Sequence, residues 1–275
     1  MNCQVDITII GDSKEGHEVL RKIAGSNLTI KVAFISREFR SRTTHDYLNV
    51  EYIKNEVVFT DYKNRLFGCY LSNGDRIYST YLIIATGLKY EPLMLKHKPV
   101  PCVFNNLNDV PKAAKNQPAL VIGDRNSDIK LALDVAKKYK HVYLCAKSIT
   151  FVDDATQTNI KKLLEAENIV VLSNTELLKV TVTDGILQGV ELDNYSTMAC
   201  SAIYIKTKSS PEVAFISDKL IQKDDLGYLV VTDSAESMLV PKCFAIGNCI
   251  KKYTKRMSQL VVKAVLDEFN GGTCS

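Results

Sequence analysis

Apolar residues in this chain fall into short β-branched runs, separated by glycine turns and by stretches with helical spacing. VDITII at 5–10 predicts a strand that ends at Gly11. From His17 to Ala24, Val19, Leu20 and Ile23 share one helical face, and IKVAFI at 30–35 returns to a strand pattern. This β-loop-α-β order builds a parallel sheet. Strands are predicted next at 49–59, 65–71 and 80–87, with SNGD at 72–75 as a turn and Gly87 at the end of TYLIIATG. Residues 93–118 carry Pro99, Pro101, Pro111 and Pro118 and read as a connector.

After that connector the opening pattern repeats. ALVIG at 119–123 predicts a strand, 127–138 an amphipathic helix and HVYLCA at 141–146 a second strand. A helix at 157–167, a strand at 169–173, a hairpin at 183–192 turning on Asp184-Gly185, and a strand at 202–207 follow. The tail contributes strands at 227–231 and 243–248 and a closing helix from Met257 to Phe269. The fold class is α/β, with two Rossmann-like domains and the second inserted into the first. The boundaries fall at 1–108 with 225–275 for the outer domain and 109–224 for the inner one.

Length agrees, since 275 residues suit about two domains. Hydrophobic residues at 46% and charged residues at 24% exclude wholesale disorder. A net charge of +4 is too mild for a dedicated nucleic-acid binder. No basic-then-apolar leader and no apolar run of about 18 residues are present, so a cytoplasmic chain with reduced thiols and no membrane partner is expected. The eight cysteines form no CxxC, which excludes a zinc ribbon and a thioredoxin-type dithiol. His17, His45, His97 and His141 have no metal-ligand spacing, and no side chain is assigned a catalytic role.

The chemistry rests on two glycine loops. A dinucleotide loop uses one glycine for the tight turn, one for close approach to the pyrophosphate and one for helix packing, with the phosphates on the helix N-terminus. Gly11-Asp12-Ser13-Lys14-Glu15-Gly16 keeps the first and third, and Ser13 hinders close approach without abolishing it. Ser36 stands where an acidic residue would bind a ribose hydroxyl. The second loop, Gly123-Asp124-Arg125-Asn126-Ser127-Asp128, keeps one glycine, and Asp128 would compete with a phosphate for the helix N–H groups. NAD(P)H binding there is doubtful.

The order of these motifs resembles the two-domain pyridine nucleotide-disulfide oxidoreductases, and within them the low-molecular-weight thioredoxin reductases. YLIIATG at 81–87, ALVIGDRNSDIKLAL at 119–133, GYLVVTDSAESMLVPKCFAIGNC at 227–249 and KRMSQLVVKAVLDEF at 255–269 carry the likeness. It implies a homodimer and FAD, with Gly11, Ser13, Gly16, Ser36, Thr86, Gly87, Gly247, Asn248 and Gln259 around the cofactor. Asn248 stands where the family usually has Asp, and its carbonyl can still accept a bond.

The departures limit the activity. The family's CxxC is missing from CVFNNLNDVPKAAKN, where Cys102 is alone, and the NADP-binding basic pair is reduced to Lys147. The segment after Ser36 that helps cover the flavin is shortened to REFRSRTTHDYLNVE. Cys249 reads as a buried hydrophobe at a strand end and Cys102 as a free surface thiol. Lys251, Lys252, Lys255 and Arg256 read either as a solvated loop or as a docking patch for an acidic electron donor such as ferredoxin or flavodoxin. Arg37, Arg40 and Arg42 could meet a nucleotide phosphate. Three readings stay open: an FAD-dependent oxidoreductase with a protein donor, a non-catalytic binding or regulatory module keeping this fold, and an NAD(P)H-dependent flavin reductase.

Overall fold

The computed structural model describes residues 2–26, 28–39, 47–105, 107, 117–147, 154–194 and 196–271. Arg40, Arg42, His45 and Cys274 lie outside the described residues. The chain runs β1 (Asn2–Ile10), α1 (Lys14–Ala24), β2 (Val32–Ser36), β3 (Val50–Lys54), β4 (Val57–Lys63), β5 (Leu66–Leu71) and β6 (Arg76–Ile84). Four short strands follow: β7 (Leu88–Tyr90), β8 (Met94–Leu95), β9 (Lys98–Pro99) and β10 (Val103–Phe104). Then come β11 (Ala119–Ile122), α2 (Asn126–Ala136), β12 (Val142–Ala146), α3 (Asp154–Leu164), β13 (Ile169–Ser173), β14 (Leu177–Thr183), β15 (Ile186–Leu192), β16 (Thr197–Ala199) and β17 (Ala202–Ile205). The chain closes with β18 (Ser209–Pro211), β19 (Cys243–Ala245) and α4 (Lys255–Gly271).

Two compact units result, residues 1–89 with 209–275, and residues 90–208. The second is inserted into the first. The crossings fall at 89/90 and 208/209, against 108/109 and 224/225 read from sequence. The reason is pairing: β10 adds to the edge of the inner sheet through Val103 opposite Ile203. In the tail, Val213, Ile216, Leu220 and Ile221 are buried in the core of the outer unit.

In the outer unit the sheet order is β3-β2-β1-β6-β5-β4, with β19 also on β6. The amino half of β6 pairs antiparallel with β5, while Leu82–Ile84 pair parallel with Cys243–Ala245 of β19. Hence β3, β2, β1, β6 and β19 run parallel, and their carboxyl ends share one edge. Helix α1 buries Val19, Leu20 and Ile23, the face its spacing predicts. Helix α4 buries Met257, Val261, Val262 and Val265. It is tied down by Glu268, which accepts from Tyr81 Oη at 2.5 Å and pairs with Lys242.

The inner unit has a parallel sheet of order β10-β17-β11-β12-β13. One core joins this sheet to α2 and α3 through Ile129, Ala132, Val135, Ile160 and Leu163. The other joins it to the antiparallel sheet β14-β15-β16 through Leu187, Val190 and Leu192. No helix among the described residues is long and apolar enough to cross a membrane.

Three sequence expectations need correction. The strand at 49–59 is two strands, because the Asn55 side chain accepts from Glu56 N–H at 2.7 Å and turns the chain. Residues 227–231 make only isolated bridges; the Asp224 carboxylate takes the N–H groups of Leu226 and Tyr228, and Gly227 sits at φ +83°. The connector at 93–118 contains strands β8, β9 and β10. The Asp184-Gly185 turn stands, with both residues at positive φ, and its first strand starts earlier, at Leu177.

Lys242 first, then Tyr81, hold the Glu268 carboxyl below its ordinary value near 4.5. A lowered pKa stabilises the folded state in full above the ordinary value, and the contribution is lost as pH falls from there through the lowered, folded-state value. Glu268→Gln is therefore expected to lower the urea midpoint at pH 7, with the difference from the parent shrinking as pH falls below 4.5. In the core, Ile83→Ala at a fully buried position is expected to cost about 2–5 kcal/mol in the same measurement.

Candidate functional site

The outer unit's site begins where β1 ends. Gly11 donates its N–H to Ile35 O at 2.8 Å and turns at φ +108°, a region costly for side chains. A Cβ there would lie 2.5 Å from both the Ala85 oxygen and the Thr86 Cα. The ends of β1 and β6 thus meet backbone to backbone. Gly16 does the second job, since its Cβ would sit 3.0 Å from Ala85 Cβ and 3.1 Å from Gly11 O. The absence of both side chains brings α1 down onto the strand ends.

Ser13 has a role beyond being small. Its Oγ accepts from Gly16 N–H at 3.1 Å as the α1 N-cap, which starts the helix at Lys14 rather than at His17. Asp12 bonds His17 Nε2 at 2.5 Å, and the His17 ring packs 4.9 Å from Phe34. Sequence reasoning left that pair unread. The i,i+5 spacing across a cap was its one signal.

On the other side of the crevice, Thr86 Oγ1 is buried with no hydrogen-bond partner. Such an orphaned hydroxyl calls for a ligand or water. Ile246 N–H donates to Ile84 O at 2.9 Å, so the chain leaving β19 stays beside β6. Gly247 then turns at φ +77° into a short 3₁₀ turn, with the Glu15 carboxylate 3.3 Å from where its Cβ would be. Asn248 is exposed. Gly87 also has positive φ, and its carbonyl accepts from Glu212 N–H at 3.1 Å.

Gly11, Ser13, Gly16, Thr86 and Gly247 therefore converge at the carboxyl ends of β1, β6 and β19. This is the crevice where the chain order reverses, since α1 carries the chain from β1 to β2 on one side while β6 flanks the other. Glycines where no Cβ fits, a capped helix start and an unsatisfied hydroxyl fit a dinucleotide. Ser36 ends the neighbouring strand, with its Oγ donating to Glu38 O at 2.8 Å. Arg37 is occupied by Glu56 at 2.6 Å and Glu212 at 2.5 Å, both solvent-accessible pairs. Gln259 lies on the exposed face of α4.

The inner unit's loop is closed by its own side chains. Asp128 is fully buried, and its Oδ2 lies 2.4 Å from where a Cβ on Gly123 would sit. That carboxylate accepts from Arg125 N at 3.2 Å, Arg125 Nε at 3.0 Å and Ser127 Oγ at 3.3 Å. Arg125 also donates to Lys206 O at 3.0 Å. An anion already holds the position a phosphate would need. Lys147 is paired with Glu176 at 2.7 Å.

The thiols are sheltered. Burial pushes Cys249 and Cys69 up to about 12, Cys145 and Cys200 up to about 11, and Cys243 higher than its ordinary value. Cys249 Sγ donates to Ile246 O at 3.1 Å, the buried role its sequence position suggested. Cys102, read as a surface thiol, is half-buried, with its Sγ 3.4 Å from Gly185 O. No group of three His, Cys, Asp or Glu suits a metal among the described residues.

Two outcomes test this geometry. Gly11→Ala is expected to lower Tm by several degrees more than Gly74→Ala, whose φ is also positive but whose Cβ would meet nothing within 4 Å. Ellman's reagent at pH 8 is expected to leave Cys69, Cys145, Cys200, Cys243 and Cys249 unmodified until denaturant is added, as mass mapping would show.

Residues 34–247 match the family model of the pyridine nucleotide-disulphide oxidoreductases. No curated protein sequence matches the chain. Among solved structures, thioredoxin reductase from Streptococcus pyogenes superposes with a TM-score of 0.66 at 18% identity, covering 98% of this chain and 100% of that one. Thioredoxin reductase from T. acidophilum gives 0.62 at 18%, covering 98% and 99%. The enzyme from Giardia duodenalis gives 0.62 at 17%, covering 98% and 99%. These likenesses establish the fold, two Rossmann-like domains with one inside the other. With the family match across most of its length, the chain belongs to the pyridine nucleotide-disulphide oxidoreductases and has the thioredoxin reductase-like fold.

Proposed function

We propose that the protein is a divergent, FAD-dependent oxidoreductase of the thioredoxin reductase type, working without a dithiol and without NADPH at its inner domain. The observation that carries this reading is the convergence of Gly11, Gly16, Thr86 and Gly247 at one sheet edge. The N–H groups at the start of α1 would hold the pyrophosphate. Thr86 would find its missing partner there, Gly247 would allow close approach, and the exposed carboxamide of Asn248 would offer a further polar contact. FAD bound at this edge would supply the electron-transfer chemistry that the chain's own side chains lack.

Nothing in the inner loop invites a nicotinamide nucleotide. To receive one, Asp128 would have to leave a buried position satisfied by four donor atoms. A protein donor fits the surface better. Lys251, Lys252, Lys255 and Arg256 are exposed and hold no ion pair among the described residues. Lys255 and Arg256 also stand in the first turn of α4, the helix end that disfavours cations. An acidic partner such as ferredoxin or flavodoxin would relieve that cost and be steered by it.

The sealed inner loop also favours a second reading, a binding or regulatory module that retains the fold. One experiment separates the two. The purified protein, incubated with FAD and desalted or assayed at equilibrium, is expected to show flavin absorbance. Anaerobic titration should then give reduction by reduced ferredoxin or flavodoxin and none by NADPH. Protein that takes up no flavin overturns the FAD reading, bound flavin that no donor reduces supports the module, and rapid reduction by NADPH revives the flavin reductase. Reversing Lys251, Lys252, Lys255 and Arg256 to Glu is expected to slow reduction by the protein donor at least about 10-fold at low salt.

A further inference from the structure

We propose that Glu15 sets how tightly the outer unit holds its dinucleotide, keeping FAD exchangeable rather than permanently bound; the inference rests on the FAD reading above. Glu15 is the second residue of α1 (Lys14–Ala24), in the turn whose free N–H groups recruit phosphate. Its side chain does not point away from the crevice. Oε2 lies 3.3 Å, and Cδ 3.6 Å, from where a Cβ on Gly247 would stand. The carboxylate therefore spans from the start of α1 to the end of β19, between two of the backbone approaches that a dinucleotide uses.

Its electrostatic setting separates it from its neighbours. Asp12 is held by His17, and Glu18 pairs with Lys22 at 3.1 Å. Glu15 has no ion pair among the described residues, so its charge is balanced by the helix N-terminus alone, the same feature that a pyrophosphate would use. A pyrophosphate arriving there meets a like charge, or drives the side chain out into solvent. The second loop shows the extreme form of the same arrangement. There Asp128 is fully buried, crosses Gly123 and is satisfied by Arg125 and Ser127. Glu15 is only partly buried and gives up no ion pair on moving. The inner loop is sealed, whereas the outer one is gated by a movable carboxylate.

The test is direct titration of flavin-free protein with FAD, read by quenching of flavin fluorescence. Glu15→Gln keeps the shape and removes the charge. It is expected to bind FAD at least about 10-fold more tightly than the parent, and to release it correspondingly more slowly. Glu15→Ala should move the same way. Glu18→Gln, one turn along the helix with its charge already paired, should leave Kd unchanged. Circular dichroism establishes that each variant is folded. Equal Kd values for parent and Glu15→Gln, with FAD bound by both, overturn the role of Glu15 and leave the FAD reading intact. FAD binding by none of the proteins overturns both.

Discussion

Two strand ends in this protein approach so closely that no methyl group fits between them. Gly11, at the end of β1, faces the backbone of Ala85 and Thr86 at the end of β6. Ala85 also forms the surface on which Gly16 sets α1. Ala85, the residue that follows β6, thereby fixes both the turn out of β1 and the height of the helix that follows. Thr86, whose Cα meets the same approach, has a buried hydroxyl without a protein partner.

The two glycine loops show how one substitution decides what such a turn can do. In the outer unit the helix packs through Gly16, and Ser13 caps its first turn. In the inner unit Asp128 takes the packing position and folds its carboxylate over Gly123. Burial of that charge is tolerated because Arg125 and Ser127 donate to it, and breaking such a pair would strand a charge in the interior. The inner domain keeps its parallel sheet and its helices, since its cores depend on residues such as Ile129, Leu144 and Tyr204 rather than on the loop. Architecture and ligand chemistry have separated within one chain.

Periodicity was enough to find the two β-α-β entries and the nesting of the domains, because those features are written in local apolar spacing. It was not enough where one polar side chain rules the backbone. Asn55 splits a strand, and Asp224 prevents one, through bonds to neighbouring N–H groups. The domain crossings were misplaced because β10 pairs with β17, about a hundred residues onward, which no local pattern records. At the site, the glycines and Ser13 were legible by position. The engagement of Arg37 by Glu212, far along the chain, was not. Glu15 drew no reading from the sequence, since its nearness to Gly247, more than two hundred residues onward, is set by the fold.

Strand β6 is shared, its first half with β5 and its last three residues with β19. That division has a consequence for synthesis on the ribosome. The inner unit is contiguous, residues 90–208, and is complete while the tail is still being translated. The outer sheet must wait with the Leu82–Ile84 edge unpaired until residues 243–245 emerge. The crevice is finished last, because Gly247 follows directly on that strand. A chain arrested after the inner unit would carry a finished guest domain inside an unfinished host.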